Sequence, residues 1–312
     1  MKFKFIVRFS VSFLLIFYIG IKINWSDIIA ALLDVDFRVY MISVFFTIPG
    51  PIIIAYKYNI LIKGTSLALS IQRLIVINYI TRFFSLFLPS ALGPEVVRWY
   101  KITRNKQGRS FFLAATIFER ITFIFVLLLI GVIALYVNTY NREVLLLKKQ
   151  FLPLIVTAFI FIAGAMAFFI SPKIQYIIKI TLKRLFQLKE ESKIYQFLDN
   201  FALKDSFFPL FFKLCALSIL WHSFFTLRIF YLFKTMDVQL QIFDIIWMGS
   251  FVLLLQILPV SLAGIGIREG AYAYLFTLYN LPSEKGVLIG LLFFSQMLIL
   301  AFLGAIFNFF EK

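Results

Sequence analysis

Apolar residues run together along this chain instead of alternating with polar ones at a strand or surface-helix period. Phe123 to Val137 and Phe151 to Ile170 are apolar on every helical face, which no one-sided soluble core explains. Crossing the hydrocarbon of a bilayer takes a helix of about 20 largely apolar residues. Stretches near 5–21, 39–56, 111–137, 152–170, 207–234 and 286–310 approach that length, and each predicts a full span.

Two further apolar stretches carry breaks. The first, about 74–104, holds Leu-Pro-Ser-Ala-Leu-Gly-Pro-Glu at 88–95; the second, about 245–277, holds Leu-Pro-Val-Ser-Leu-Ala-Gly-Ile-Gly at 258–266. Proline lacks the amide donor a helix needs, and glycine tolerates irregular backbone. Pro89, Gly93 and Pro94 therefore mark one break, and Pro259, Gly264 and Gly266 the other. Each stretch predicts two short helices joined at membrane depth, where unwound backbone survives only beside protein or a wet cavity. The expectation is an all-α integral membrane protein, one polytopic domain over 1–312, with about six full spans and two re-entrant segments. Entering from opposite faces, the two broken segments match an inverted-repeat transporter plan; two unrelated kinks would also give this pattern.

Composition bears this out, with 62% hydrophobic residues, 15% charged and a mean hydropathy of +0.95. The net charge of +16 would suggest nucleic acid in a soluble protein. Here the basic residues sit mostly between apolar runs, where the positive-inside rule and anionic headgroups account for them. Keeping Arg98, Lys101, Arg104, Lys106 and Arg109 on the inner side requires the first broken segment to turn back. Both termini are then cytoplasmic in a plasma-membrane protein, although Arg142, Lys148 and Lys149 fall outside against the rule. The stretch 171–206 mixes Lys and Glu with apolar residues at helical spacing, as an amphipathic helix on the inner headgroups does. The apolar run Val11 to Ile19 lacks a small-x-small cleavage site before Asn24 and is read as a retained helix.

One cysteine, Cys215, and one histidine, His222, predict neither a disulfide nor a zinc site, and no cofactor motif is present. Interest falls on ionisable residues at membrane depth, each costing roughly 2.5–3.5 kcal/mol on insertion scales. Glu95 and Arg98 stand three apart and share a helical face. Glu119-Arg120 and Arg268-Glu269 are adjacent and point apart, so each member is expected to find its partner elsewhere. Arg98, Arg120 and Arg268 suit phosphate oxygens, with helix amino-termini near Gly93 and Gly266 adding amides. Glu95, Glu119 and Glu269 would hold those arginines, and Asn78, one turn before Arg82, would line the same cavity. A static ion-pair network stapling the breaks is the competing account. His222, between Trp221 and Ser223, is expected to be a packed, hydrogen-bonded histidine.

The run from Asn78 through Leu88-Pro89-Ser90-Ala91-Leu92-Gly93-Pro94-Glu95-Val96-Val97-Arg98 to Phe118-Glu119-Arg120 resembles the transmembrane region of lysylphosphatidylglycerol synthases. Leu258-Pro259-Val260-Ser261-Leu262-Ala263-Gly264-Ile265-Gly266-Ile267-Arg268-Glu269-Gly270 resembles that family's second signature. The likeness runs through nearly the whole chain in order and spacing, with Pro94 departing from the small residue often found there. It implies a membrane part associated with translocating an aminoacylated phospholipid, without the cytosolic aminoacyl-transfer domain. Membrane lipids with anionic phosphate headgroups are the expected partners, together with a separate lipid-modifying enzyme. The leading expectation is a flippase for a phospholipid or lipid-linked precursor. An integral-membrane enzyme or accessory subunit in lipid or glycolipid modification is the alternative, and a scaffold is a third.

Overall fold

An apolar segment in lipid must satisfy its own backbone amides, and a helix does so locally. In a computed structural model of the chain, the described residues are 21, 25–88, 93–104, 106–137, 142–171, 173–174, 176–177, 180, 207–257, 261 and 263–311. All regular structure among them is α-helical. In chain order the helices are α1 (Trp25–Leu33), α2 (Phe37–Phe45), α3 (Pro49–Ile62), α4 (Ile71–Ser85), α5 (Gly93–Thr103) and α6 (Arg109–Val137). They continue with α7 (Arg142–Ile170), α8 (Phe207–Lys234), α9 (Ile242–Ile257), α10 (Ile267–Leu278) and α11 (Ser283–Phe310).

Among the described residues, four stretches are long and apolar enough to cross a membrane: Phe37–Ile62, Arg109–Val137, Phe207–Lys234 and Ser283–Phe310. These correspond to the expected spans near 39–56, 111–137, 207–234 and 286–310. The fifth, at 152–170, lies within α7, whose apolar part is the shorter Leu152–Ala167. The stretch 5–21 (but for Ile21), most of 171–206, and Pro89 and Pro259 lie outside the described residues. One difference is that a further helix, α1, stands between the expected spans at 5–21 and 39–56. Its run Ile28-Ile29-Ala30-Ala31-Leu32-Leu33 contains no breaker, and Ile28 is buried. Asp36 then stops and restarts the chain: its Oδ1 accepts from Arg38 N at 2.8 Å and Val39 N at 3.2 Å, a side-chain cap for α2.

Contacts at the helix ends fix how the two broken segments lie. At one end, Glu311 just after α11 pairs with Arg73 near the start of α4 (2.6 Å) and with Lys101 near the end of α5. Ser66 Oγ also donates to Gln107 O (3.2 Å) there. Helices α4 and α5 are thus a hairpin whose two outer ends meet at the Glu311 end. At the opposite end, Tyr279 OH donates to Asp244 Oδ1 (2.5 Å) and accepts from Trp247 Nε1 (2.8 Å). Lys285 Nζ donates to Met236 O (3.1 Å) beside them, and Asp36 N to Thr235 O (3.0 Å). Helices α9 and α10 are therefore a second hairpin, inserted from the Asp244 end. Helix α11 runs past both.

Lipid tails are as apolar as leucine, so close packing over small residues must hold such helices together. A Cβ at Gly290 would stand 2.9 Å from Glu269 Cα, and one at Gly304 would overlap Tyr79 O, so α11 touches α10 and α4 backbone to backbone. Two apolar cores result. One gathers Phe233, Tyr272 and Phe276 from α8 and α10, and the other Tyr58, Phe112 and Phe118 from α3 and α6.

Candidate functional site

The inner ends of both hairpins open onto one cavity of about 260 Å³. From the first come Arg82 and Ser85 of α4 with Pro94, Glu95 and Arg98 of α5; from the second come Gln256 and Ile257 of α9 with Ser261, Ala263 and Gly264. The second break has a backbone reason: Ala263, Gly264 and Gly266 have φ of 49°, 76° and 84°, left-handed conformations that glycine adopts without steric cost. The remaining wall includes Phe46, Glu119, Arg120, Phe123, Trp221, Phe224, Phe225, Arg228 and Phe293. The cavity is polar where the hairpins, α6 and Arg228 of α8 meet, and apolar, largely aromatic, elsewhere.

Its charges are wired across helices. Lys57 of α3, fully buried, donates to Glu119 Oε1 at 2.9 Å. Arg120 reaches Glu95 Oε1 at 3.4 Å. Arg98 donates from Nε to Asn78 Oδ1 (2.9 Å) and from a terminal nitrogen to Tyr58 OH (3.2 Å), with its guanidinium 4.6 Å from the Tyr58 ring centre. Arg228 donates to Gln296 Oε1 (2.5 Å) and Phe293 O (3.1 Å), while Gln296 is held in turn by its donation to Ser43 Oγ (2.8 Å). The guanidinium of Arg82 lines the cavity without a hydrogen bond to any described residue. The two cavity carboxylates thus belong to Lys57 and Arg120. Arg82, Arg98 and Arg228 have no acidic hydrogen-bond partner among the described residues.

Of the residues singled out in the sequence, Glu95, Arg98, Glu119, Arg120, Pro94 and Gly264 border this cavity, while Asn78 sits behind Arg98 and holds it. Gly93 opens α5, and Gly266 caps α10. Arg268 and Glu269 do not line the cavity. They also bond each other, at 2.5 Å, where their adjacency suggested separate partners. The long arginine curls around the helix start while Glu269 folds back to accept Gly266 N at 2.6 Å. That bond occupies the α10 amino-terminus, so its first amide is already satisfied. The shared face of Glu95 and Arg98 does not make them a pair, because each is drawn to another helix. His222 is packed as expected, stacking on Phe123 at 4.9 Å between centroids, and its Nε2 is buried with no partner among the described residues.

Lys57, Tyr58, Arg228 and Gln296 are site residues that sequence reasoning passed over. Lys57 stands one residue past the expected 39–56 span, and Arg228 lies within the expected 207–234 span. The available signal was a lone cation within a long apolar run, which at membrane depth needs a partner or a wet cavity.

A bundle of apolar helices in which two half-helix hairpins meet from opposite ends over a buried arginine cavity is a polytopic α-helical membrane protein. Residues 5–305 match the family model for the lysylphosphatidylglycerol synthase TM region, and the chain belongs to that family. No curated protein and no solved structure gives a match.

Proposed function

We propose that this protein translocates a phospholipid or lipid-linked precursor, its phosphate passing through the arginine cavity while the acyl chains stay in lipid. The observation that carries this is the charge imbalance of the cavity wall: four arginines, Arg82, Arg98, Arg120 and Arg228, face two carboxylates, Glu95 and Glu119, and only Arg120 bonds to one of them among the described residues. Each such charge is expensive at membrane depth, and a phosphate diester supplies the missing anion with acceptor oxygens suited to the guanidinium fork. The family's association with a membrane lipid synthase points the same way.

Orientation follows from charge. Lys63, Arg73, Lys101, Arg104, Lys106 and Arg109 gather toward the Glu311 end, whereas at the other end Arg38, Lys234 and Lys285 are outnumbered by Asp34, Asp36, Asp237 and Asp244. The Glu311 end is therefore assigned to the cytoplasm of a plasma-membrane protein. A separate lipid-modifying enzyme would supply or consume the lipid. Glu95 and Glu119 are each tied to a cation, an arrangement better suited to holding a substrate than to proton transfer, which favours translocation over a membrane enzyme.

Purified protein in liposomes should move acyl-labelled phosphatidylglycerol between leaflets and return it chemically unchanged. A new lipid species on a chromatogram, without leaflet exchange, would shift the assignment to the enzyme.

A further inference from the structure

Arg268 is the largest fully buried side chain among the described residues, yet it lies outside the cavity. What separates it is a wall of two side chains on α11, Phe293 and Met297, which both line the cavity and both touch Arg268. The Phe293 ring centre is 3.7 Å from the Arg228 guanidinium and 5.1 Å from that of Arg268. One aromatic ring thus parts a cavity arginine from a hidden one.

Two polar groups behind this wall are poorly satisfied. The Arg268 Nη1 group is directed at Met297 Sδ at 3.4 Å, and a thioether is a weak acceptor. Tyr272, one helical turn beyond Arg268 on α10 and also fully buried, has a hydroxyl with no hydrogen-bond partner among the described residues. Buried polar groups are almost always paired, so each such exception calls for an explanation. Phosphate oxygens would satisfy both the guanidinium nitrogen and the hydroxyl.

We propose that Arg268 and Tyr272 form a second headgroup station, sealed from the cavity by Phe293 and Met297, and that a phosphate held at Arg228 is handed to Arg268 when this wall opens. This rests on the translocation function proposed above. A path with two arginine stations on either side of one ring lets the anion move without ever losing a guanidinium partner. It also keeps the two stations from being open together, so the cavity does not become a leak.

The test thickens the wall. Phe293→Trp keeps an aromatic face for both guanidiniums, and Met297→Phe fills the same partition from one turn further along α11. Binding is read as the thermal shift given by dihexanoyl phosphatidylglycerol, and transport as leaflet exchange of acyl-labelled phosphatidylglycerol. Exchange should fall about tenfold in both variants, a cost of about 1.4 kcal/mol at the gating step, and further than any weakening of binding. Wild-type exchange rates in both variants would overturn the handover, as would loss of binding together with exchange. If Phe293→Trp does not fold, Met297→Phe decides alone. Absence of exchange in the wild type itself would instead remove the translocation function, and the handover with it.

Discussion

Lys57 and Glu119 show how a buried charge is tolerated at a single position. Desolvating both groups is expensive, and their 2.9 Å contact offsets this only while both are present. Lys57→Met alone should therefore lower stability by about 3–5 kcal/mol by stranding Glu119. Lys57→Met with Glu119→Gln should recover most of that loss, as melting in detergent through a double-mutant cycle would show. Equal losses in single and double variants would mean that the pair is not coupled. Arg98 differs, because it is held by neutral groups, Asn78 and Tyr58. Arg98→Lys keeps the charge but loses the fork that spans both partners. None of these pairings was legible in the sequence, since each joins helices whose relative placement no local pattern encodes. The sequence marked Glu95, Arg98, Glu119 and Arg120 as costly, and it could not say which would meet.

The breaks, by contrast, are written into short stretches of chain, and the helices on either side of both were legible from Pro and Gly alone. Ile71–Ser85 and Gly93–Thr103 flank the first, and Ile242–Ile257 and Ile267–Leu278 the second. At Gly264 the reason is steric: φ is +76° and an added Cβ would stand 3.0 Å from Gln256 Cγ. Gly264→Ala should destabilise by about 1–2 kcal/mol, the cost of a left-handed L-residue, and should distort the cavity edge it forms. A variant melting with the wild type would show that the break does not depend on this residue. Packing between elements follows the same logic at Gly304, where α11 meets the α4 backbone. Gly304→Leu should force the two helices apart and cut the yield of folded protein on size-exclusion chromatography, whereas an undisturbed profile would deny the contact. What the sequence hid at this scale was α1, a short helix between two expected spans, because nine residues give too weak a period.

Across the whole molecule, two hairpins inserted from opposite ends bring both breaks to one arginine-rich cavity, and this convergence is what a single sequence leaves open. Opposite insertion has a direct check in a Cys215→Ala background. A cysteine replacing exposed Gln239 should react with a membrane-impermeant maleimide on intact cells, and one replacing exposed Arg104 only after permeabilisation. Labelling of both from one side would contradict the arrangement. The central claim, that unmatched arginines carry a phosphate headgroup across, is tested most directly by leaflet exchange in liposomes of equal protein content. Wild-type protein should speed exchange of acyl-labelled phosphatidylglycerol above protein-free liposomes. Arg98→Gln and Arg228→Gln, folded to the same yield, should each slow it roughly tenfold or more, matching the about 1.5–3 kcal/mol of a lost charge-assisted hydrogen bond. Exchange no faster than in protein-free liposomes, or arginine variants as fast as the wild type, would contradict it.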